Sequence, residues 1–295
     1  MPHQLIATIR TIKDRLMDRY DDPTLCEQYA WWMVEQVTNK SRAQLLASDY
    51  TLTHDEHTKI EQWIKLQVVD HMPLQYLLGT VPFADLEIIV EPPTLIPRPE
   101  TEEWVLTLIS RLKAAGITHP AILDLCTGSG CIALALAQAL PKSQVTGSDI
   151  SSRAIELSKK NAAHNTIDNV TFIESDLMDQ LPDNRQYDII VANPPYIAQE
   201  ELASLDESVR KWEDRRALIA EDHGLAIIEQ IIARVPSFLM SDSSIRKAGI
   251  SQLWIEIGYQ QGPAVANLFK QAGYSDVTIL KDLEGKDRVV TGTPS

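Results

Sequence analysis

Asn193-Pro194-Pro195-Tyr196 follows directly on the apolar run Tyr187-Asp188-Ile189-Ile190-Val191-Ala192. That run reads as a buried strand, so the Asn is a polar amide carried at the end of rigid scaffold. Two successive prolines lack backbone donors, hold φ fixed and cannot extend a central strand. They lock the chain into one path, aiming the Asn193 oxygen and the neighbouring main-chain carbonyls outward as acceptors. Tyr196 adds a flat ring with a polar tip. Together these groups could grip a planar NH2, with acceptors for its two hydrogens and a ring for its face. The bland alternative is a proline-rich turn capped by a surface aromatic. The residues upstream decide between the two.

Ile122-Leu123-Asp124-Leu125-Cys126-Thr127-Gly128-Ser129-Gly130 ends an apolar strand in a glycine-rich turn that opens a helix. Glycines there allow a ligand close to the main chain, and the first N–H groups of the helix face the site. Gly128-Ser129-Gly130-Cys131-Ile132-Ala133 fits the relaxed dinucleotide fingerprint, and Asp149 ends the next strand, where it could hold ribose hydroxyls. On these residues a nicotinamide dinucleotide and S-adenosylmethionine compete. Three details favour the methyl donor. Asp124 precedes the turn, suited to a charged amine and awkward beside a pyrophosphate. Asp176 follows the third strand, within reach of an adenine amine. Asn193 to Tyr196 serves a methyltransferase acting on an NH2 nitrogen, whereas hydride transfer has no use for it. Capping or turn chemistry is the plainer role for Asp124 and Asp176; for Asp149 it is weaker, because Ser151 supplies the following cap.

These groups need a scaffold. From about residue 120 strands and helices alternate: Ala121 to Leu125, Val145 to Ile150, Val170 to Glu174, Tyr187 to Ala192 and Gln252 to Ile257 read as strands. Cys131 to Leu140, Ser152 to His164, Gly224 to Phe238 and Pro263 to Ala272 read as helices. Val277 to Leu280 and Arg288 to Gly292 close the chain as a hairpin. The pattern predicts an α/β fold, a mostly parallel sheet covered by helices on both faces. Residues 1–75 are helical throughout, with Leu5, Ile6, Ile9, Ile12 and Leu16, then Tyr29, Trp32, Met33, Gln36 and Val37, then Ile60, Ile64, Val68 and Val69 at helical spacing. Trp31, Trp32 and Trp63 are expected in the core of this small bundle, with partner binding as a second role for one of them. Residues 76–100 form a hairpin and a proline-rich connector of restricted conformation. Residues 101–295 form the domain that carries the chemistry.

The chain has 295 residues, 44% of them apolar and 23% charged, with a net charge of −14. That balance argues against affinity built on neutralising nucleic-acid phosphates. Cys26, Cys126 and Cys131 are too few and wrongly spaced for a disulfide framework or a zinc site, and read as free thiols in a reducing compartment. Met1-Pro2-His3-Gln4 shows no secretory pattern and no run is long enough to span a membrane, so a cytoplasmic monomer is expected. No metal is expected.

Across nearly its whole length the sequence resembles the HemK/PrmC protein-glutamine N5-methyltransferases. The resemblance includes Pro73-Leu74-Gln75-Tyr76-Leu77-Leu78-Gly79, Leu95-Ile96-Pro97-Arg98-Pro99-Glu100-Thr101-Glu102, the Leu123 to Gly130 turn and Asp149-Ile150-Ser151. It continues through Asn193 to Tyr196, Glu256-Ile257-Gly258 with Gln261-Gly262, and Asp287-Arg288-Val289. Pro97-Arg98-Pro99 is the most specific element, because DNA amino-methyltransferases share the tetrapeptide without it. The resemblance implies a Rossmann-like, seven-stranded class I methyltransferase sheet behind the helical bundle. It implies that Cys126, Thr127, Gly128, Ser129 and Gly130, with Asp124, Asp149, Asp176 or its neighbour Leu177, and Asn193, hold S-adenosyl-L-methionine and release S-adenosyl-L-homocysteine. Asn193, Pro194, Pro195 and Tyr196, with Arg98, would bind the substrate: the glutamine of the Gly-Gly-Gln motif in peptide chain release factors. Asn193, Pro194 and Tyr196 would act in catalysis.

Two departures stand out. Relatives carry Gly where this chain has Cys126, which is expected to pack small and neutral. In Val209-Arg210-Lys211-Trp212-Glu213-Asp214, Asp214 replaces a proline. The competing functions are an amino-methyltransferase of adenine or guanine in DNA or RNA, a nicotinamide oxidoreductase, and a catalytically silent adaptor on the same fold.

Overall fold

Helices fill the first part of the chain because their starts are capped and their apolar stripes meet. The computed structural model describes residues 3–48, 50–182 and 185–295. Met1 and Pro2, on which part of the expectation about the N-terminus rests, lie outside them. Helices α1 (His3–Leu16), α2 (Pro23–Thr38), α3 (Arg42–Ala47), α4 (His54–Val68) and α5 (Leu74–Leu78) belong to the first of two compact units. Asp22 caps α2 through the Thr24 and Leu25 N–H groups, with Pro23 at the first position. Ser41 with Gln44 and Thr53 with Glu56 form capping boxes at α3 and α4, each satisfying two otherwise unpaired N–H groups. Leu5, Ile9, Ile12, Leu16, Trp31, Met33, Ile60, Trp63 and Ile64 form the core.

The sequence reading put Trp31 and Trp32 in that core together. Successive residues point about 100° apart on a helix, and only Trp31 turns inward, 2% exposed against 41% for Trp32. Ile6 and Val69 lie on the outer face for the same reason. The later segment Asp206–Trp212 returns to this unit. There Arg19 pairs with Asp206 at 2.6 Å and the Trp212 indole donates to the Asp70 carbonyl at 2.9 Å.

The second unit, Val81–Leu205 with Glu213–Ser295, carries the sheet. After the hairpin β1 (Thr80–Phe83) and β2 (Leu86–Ile89), α6 (Pro99–Ala114) starts on a proline. Strands β3 (Ala121–Leu125), β4 (Gln144–Asp149), β5 (Val170–Glu174), β6 (Ile189–Ala192), β7 (Leu253–Glu256), β8 (Tyr274–Lys281) and β9 (Asp287–Pro294) follow. Helices α7 (Cys131–Ala139) and α8 (Ser152–His164) connect the first three. Among the described residues seven strands form one sheet, in the order β5-β4-β3-β6-β7-β9-β8. It is parallel from β5 to β7, and β9 and β8 are antiparallel. Ile189, Ile190, Val191, Leu253, Trp254 and Ile255 are fully buried, the continuous apolar runs that a sheet covered on both faces requires.

Several expected elements are shorter: the strand expected at Gln252–Ile257 is Leu253–Glu256, the helix expected at Cys131–Leu140 is Cys131–Ala139, and two others differ for a visible reason. The strand assigned from Tyr187 begins at Ile189, since Tyr187 makes only an isolated bridge to Leu239. The helix assigned to Gly224–Phe238 is Ala226–Arg234 followed by a 3-10 turn, Val235–Phe238. Pro236 has no N–H to continue the α pattern. Upstream, Asp222, His223 and Gly224 all have positive φ, which keeps the helix from starting earlier.

Candidate active site

The sheet runs outward from β3 to β4 and β5, then returns to lay β6 on the other side of β3. The crevice at such a switch point, beyond the carboxyl ends of the strands, is where open α/β sheets take ligands. Leu125 is in register with Ala192 on β6 and with Ser148 on β4. The Cys126–Gly130 turn, Asp149 and Asn193 therefore leave the sheet at the same edge.

The turn is built from its own sequence neighbours together with the strand and helix that follow it. Asp124 is fully buried, and its Oδ2 accepts from the Thr127 hydroxyl at 2.5 Å and the Ala133 N–H at 3.2 Å. Burial outweighs these bonds and pushes the carboxyl up to about 7, with Asp149 adding a like charge. Asp149 accepts from the Gly128 N–H and the Ser151 N–H, each at 2.9 Å, and is likewise raised by burial. Gly130, at φ +83°, admits no side chain: a Cβ would lie 2.9 Å from Ser158 Cβ and 3.1 Å from the Phe172 ring. A Cβ on Gly128 would meet nothing within 4 Å, so the turn borders open space there. Among the described residues, Asp124 Oδ1 and Ser129 Oγ are buried without a hydrogen-bond partner. Buried polar atoms are seldom left so, and unpartnered ones in a turn that borders open space suit a ligand's own donors and acceptors.

Cys126 sits in this turn at φ +58°, a left-handed conformation that strains any side chain. Its thiol is pushed well up by burial and by Asp149, Asp124 and Asp176, and stays neutral. Asp176 is exposed, while Leu177 beside it is buried and gives its carbonyl to the Ser148 hydroxyl at 3.3 Å.

The segment after β6 is held by distant residues instead. Asn193 Nδ2 lies 3.4 Å from Thr101 Oγ1. Thr101 donates to Glu256 Oε2 at 2.7 Å, and the Trp104 indole donates to the same oxygen at 2.7 Å. The Tyr196 carbonyl accepts from Gln261 Nε2 at 2.8 Å and abuts Gly224, where a Cβ would fall 2.1 Å from it. The Tyr196 hydroxyl is pushed far above its ordinary value, first by burial and then by Glu256. Pro194 is buried and Pro195 half-buried between these two anchors.

Arg98 gives both its hydrogen bonds, 2.7 Å each, to the buried Glu213 carboxylate. The Asp214 N–H donates to the Pro93 carbonyl at 2.7 Å, a bond that a proline at this position could not make. Asp214 also caps the turn Arg215–Leu218 and pairs with Arg216. His164, the last residue of α8, pairs with Glu87 at 2.8 Å.

The sequence reading assigned no role to Thr101, Trp104, Glu256, Gln261 or Gly224. Signals existed for three of them: Thr101, Glu256 and Gln261 lie in the segments that carry the resemblance, and Glu256 ends β7 at the carboxyl edge, where open sheets take ligands.

Residues 105–211 match the family of the methyltransferase small domain, and residues 8–79 match the PrmC N-terminal domain. Among solved structures, the hMettl16 catalytic domain in complex with the MAT2A 3'UTR hairpin 6 has a TM-score of 0.52 at 18% identity, over 82% of each chain. The 16S rRNA N2 G1207 methyltransferase of T. Thermophilus, in complex with AdoMet and guanosine, has a TM-score of 0.51 at 16% identity, over 73% of this chain and 50% of that one. These likenesses speak to the fold, and with the matched domain they define a Rossmann-like, class I, S-adenosylmethionine-dependent methyltransferase. The sequence is 36% identical to the release factor glutamine methyltransferase of Lactococcus lactis over 97% of this chain and 98% of that protein. It is 35% identical to that of Flavobacterium psychrophilum over 97% and 98%. The chain belongs to the release factor glutamine methyltransferase family. No described helix is long and apolar enough to cross a membrane.

Proposed function

We propose that this enzyme methylates the side-chain amide nitrogen of the glutamine in the Gly-Gly-Gln motif of peptide chain release factors. One observation carries the reading: the Asn193 carboxamide, with its NH2 turned toward Thr101, stands at the switch point beside the Cys126–Gly130 turn. S-adenosylmethionine, when bound, supplies an electrophilic methyl group on a sulfonium. Asp124 Oδ1 and Ser129 Oγ would take its amino acid portion, Asp149 its ribose, and Asp176 with Leu177 its adenine.

A primary amide is a weak nucleophile because its nitrogen lone pair is delocalised into the carbonyl. Asn193 Oδ1 and the Pro194 carbonyl would accept the two amide hydrogens, and Tyr196 would pack on the amide face. Two acceptors orient the nitrogen and favour the positive charge that develops on it. Holding the reacting atoms about 3–3.5 Å apart contributes several kcal/mol more. The substrate nitrogen, once alkylated, would lose one N–H proton to water. Arg98, held by Glu213, would act beside the substrate by fixing the loop that starts at Glu213. The helical residues 1–75 would recognise the body of the factor, 76–100 connect, and 101–295 catalyse.

The test offers labelled donor to the purified enzyme with intact release factor, the same factor lacking the glutamine, and total RNA side by side. Label in the intact factor alone supports the proposal. Label in the glutamine-free factor or in RNA overturns it, the latter in favour of a nucleobase amino-methyltransferase.

A further inference from the structure

We infer that Trp104, Glu256 and Thr101 form a one-way hydrogen-bond chain that fixes which end of the Asn193 carboxamide faces the substrate. The inference rests on the reading of Asn193 as an acceptor for a substrate amide. A carboxamide turned by 180° exchanges its oxygen for its NH2, with almost no change of shape. The wrong orientation would present donors to donors, so the site needs something that tells the two ends apart.

The order of donors supplies it. An indole N–H can only donate, so Glu256 Oε2 must be an accepting atom where Trp104 meets it at 2.7 Å. The Thr101 hydroxyl has one hydrogen and gives it to the same Oε2, at 2.7 Å. Only lone pairs remain on Thr101 Oγ1 for Asn193, which must offer its NH2 there and turn its oxygen away. The chain keeps this polarity whether or not Glu256 is ionised. Burial raises the Glu256 carboxyl above its ordinary value, yet a proton on Glu256 would have to sit on Oε1, because Oε2 already faces two donors. Trp104 and Thr101 lie one turn apart on α6 and are buried with Glu256, so water does not compete. These three are positioning residues, acting on the reaction through Asn193.

The test uses full-length enzyme with Thr101→Ser, Thr101→Val, Glu256→Gln and Glu256→Leu. Thr101→Val keeps the shape and removes the acceptor. It should lower kcat about tenfold, the worth of one hydrogen bond, while KM for donor and for factor stay within about twofold. Thr101→Ser should restore kcat. Glu256→Gln should also retain it, since the Gln oxygen can replace Oε2 for both donors; Glu256→Leu should lose it. A carboxylate acting as a base would fail in both. A second readout needs no substrate: in 15N-labelled protein the Asn193 side-chain amide protons should exchange about tenfold faster in Thr101→Val than in wild type or Thr101→Ser. A folded Thr101→Val enzyme with wild-type exchange and wild-type kcat overturns the chain, as does inactivity of Glu256→Gln with normal melting. If the wild type fails to methylate release factor, the proposed function falls, while the exchange measurement still decides the chain.

Discussion

The turn after β3 and the segment after β6 leave the same edge of the sheet but are held across different spans of the chain. The turn closes on its sequence neighbours and on the next strand and helix: Thr127 and Ala133 bond Asp124 and the Thr127 carbonyl lies under the Gly130 N–H, while Asp149 takes the Gly128 N–H from 21 residues on and Asn161 donates to the Ser129 carbonyl from 32. The segment relies on partners far off in the chain, Thr101 at 92 residues from Asn193 and Gln261 at 65 from Tyr196. A turn held this way can be ready for a ligand once β3, α7, β4 and α8 have formed. A segment anchored by remote residues is aimed only once the whole sheet is assembled. The difference separates donor binding from substrate aiming, and each can be perturbed alone.

The largest effect is expected from Asn193→Ala. Turnover should fall by about 10²–10³-fold, as on removing one hydrogen-bonding group that stabilises a transition state. Donor affinity measured by calorimetry should stay within about twofold. A large loss of donor binding would break the separation.

Next come two glycine substitutions that should divide along the same line. In Gly224→Ala the new Cβ meets the Tyr196 carbonyl at 2.1 Å and must displace it. We expect kcat to drop about 10- to 100-fold with donor affinity kept, the effect of a displacement of about 1 Å. Gly130→Ala meets Ser158 Cβ at 2.9 Å in a strained backbone, and should weaken the donor first. Paired calorimetry and single-turnover rates check both.

The pH dependence sharpens the donor side. Burial raises Asp124 to about 7 in the fold, against about 3.9 in an unfolded chain. An amine ligand needs the ionised carboxylate, so donor affinity should fall about tenfold per pH unit well below that value. Asp124→Asn should bind weakly with a flat profile in this range. For stability the sign is opposite. Between about pH 4 and 7 the fold takes up a proton that the unfolded chain does not, so this group's contribution becomes more favourable as pH falls. Melting curves with and without donor should therefore diverge with pH in wild type and run parallel in Asp124→Asn.

The smallest effect belongs to Cys126→Gly. Relief of the left-handed strain should stabilise by about 1 kcal/mol, raising Tm by about 2 °C, with kcat unchanged. A loss of stability would mean that thiol packing outweighs backbone strain.

Where local pattern decides, the sequence was legible. Ala121–Leu125, Ser152–His164 and Val170–Glu174 have the bounds that their periodicity predicts. The crevice also follows from the strand order that alternating elements and right-handed crossovers favour. What lay hidden were long-range partners. Arg98 in Pro97-Arg98-Pro99 is expected at the substrate, and only folding brings it against Glu213, 115 residues on. Trp31 and Trp32 are adjacent letters of the same type, and only the packing of α2 separates a core residue from an exposed one.

The sequence by itself determined the kinds of group at the crevice: a carboxyl before a glycine turn, an acid ending the next strand, and an amide locked by two prolines. Those follow from backbone preferences within a few residues. The tertiary structure decided which way the Asn193 carboxamide faces, and that the Arg98 charge is paired. Both depend on hydrogen bonds between groups that packing alone brings within about 3 Å.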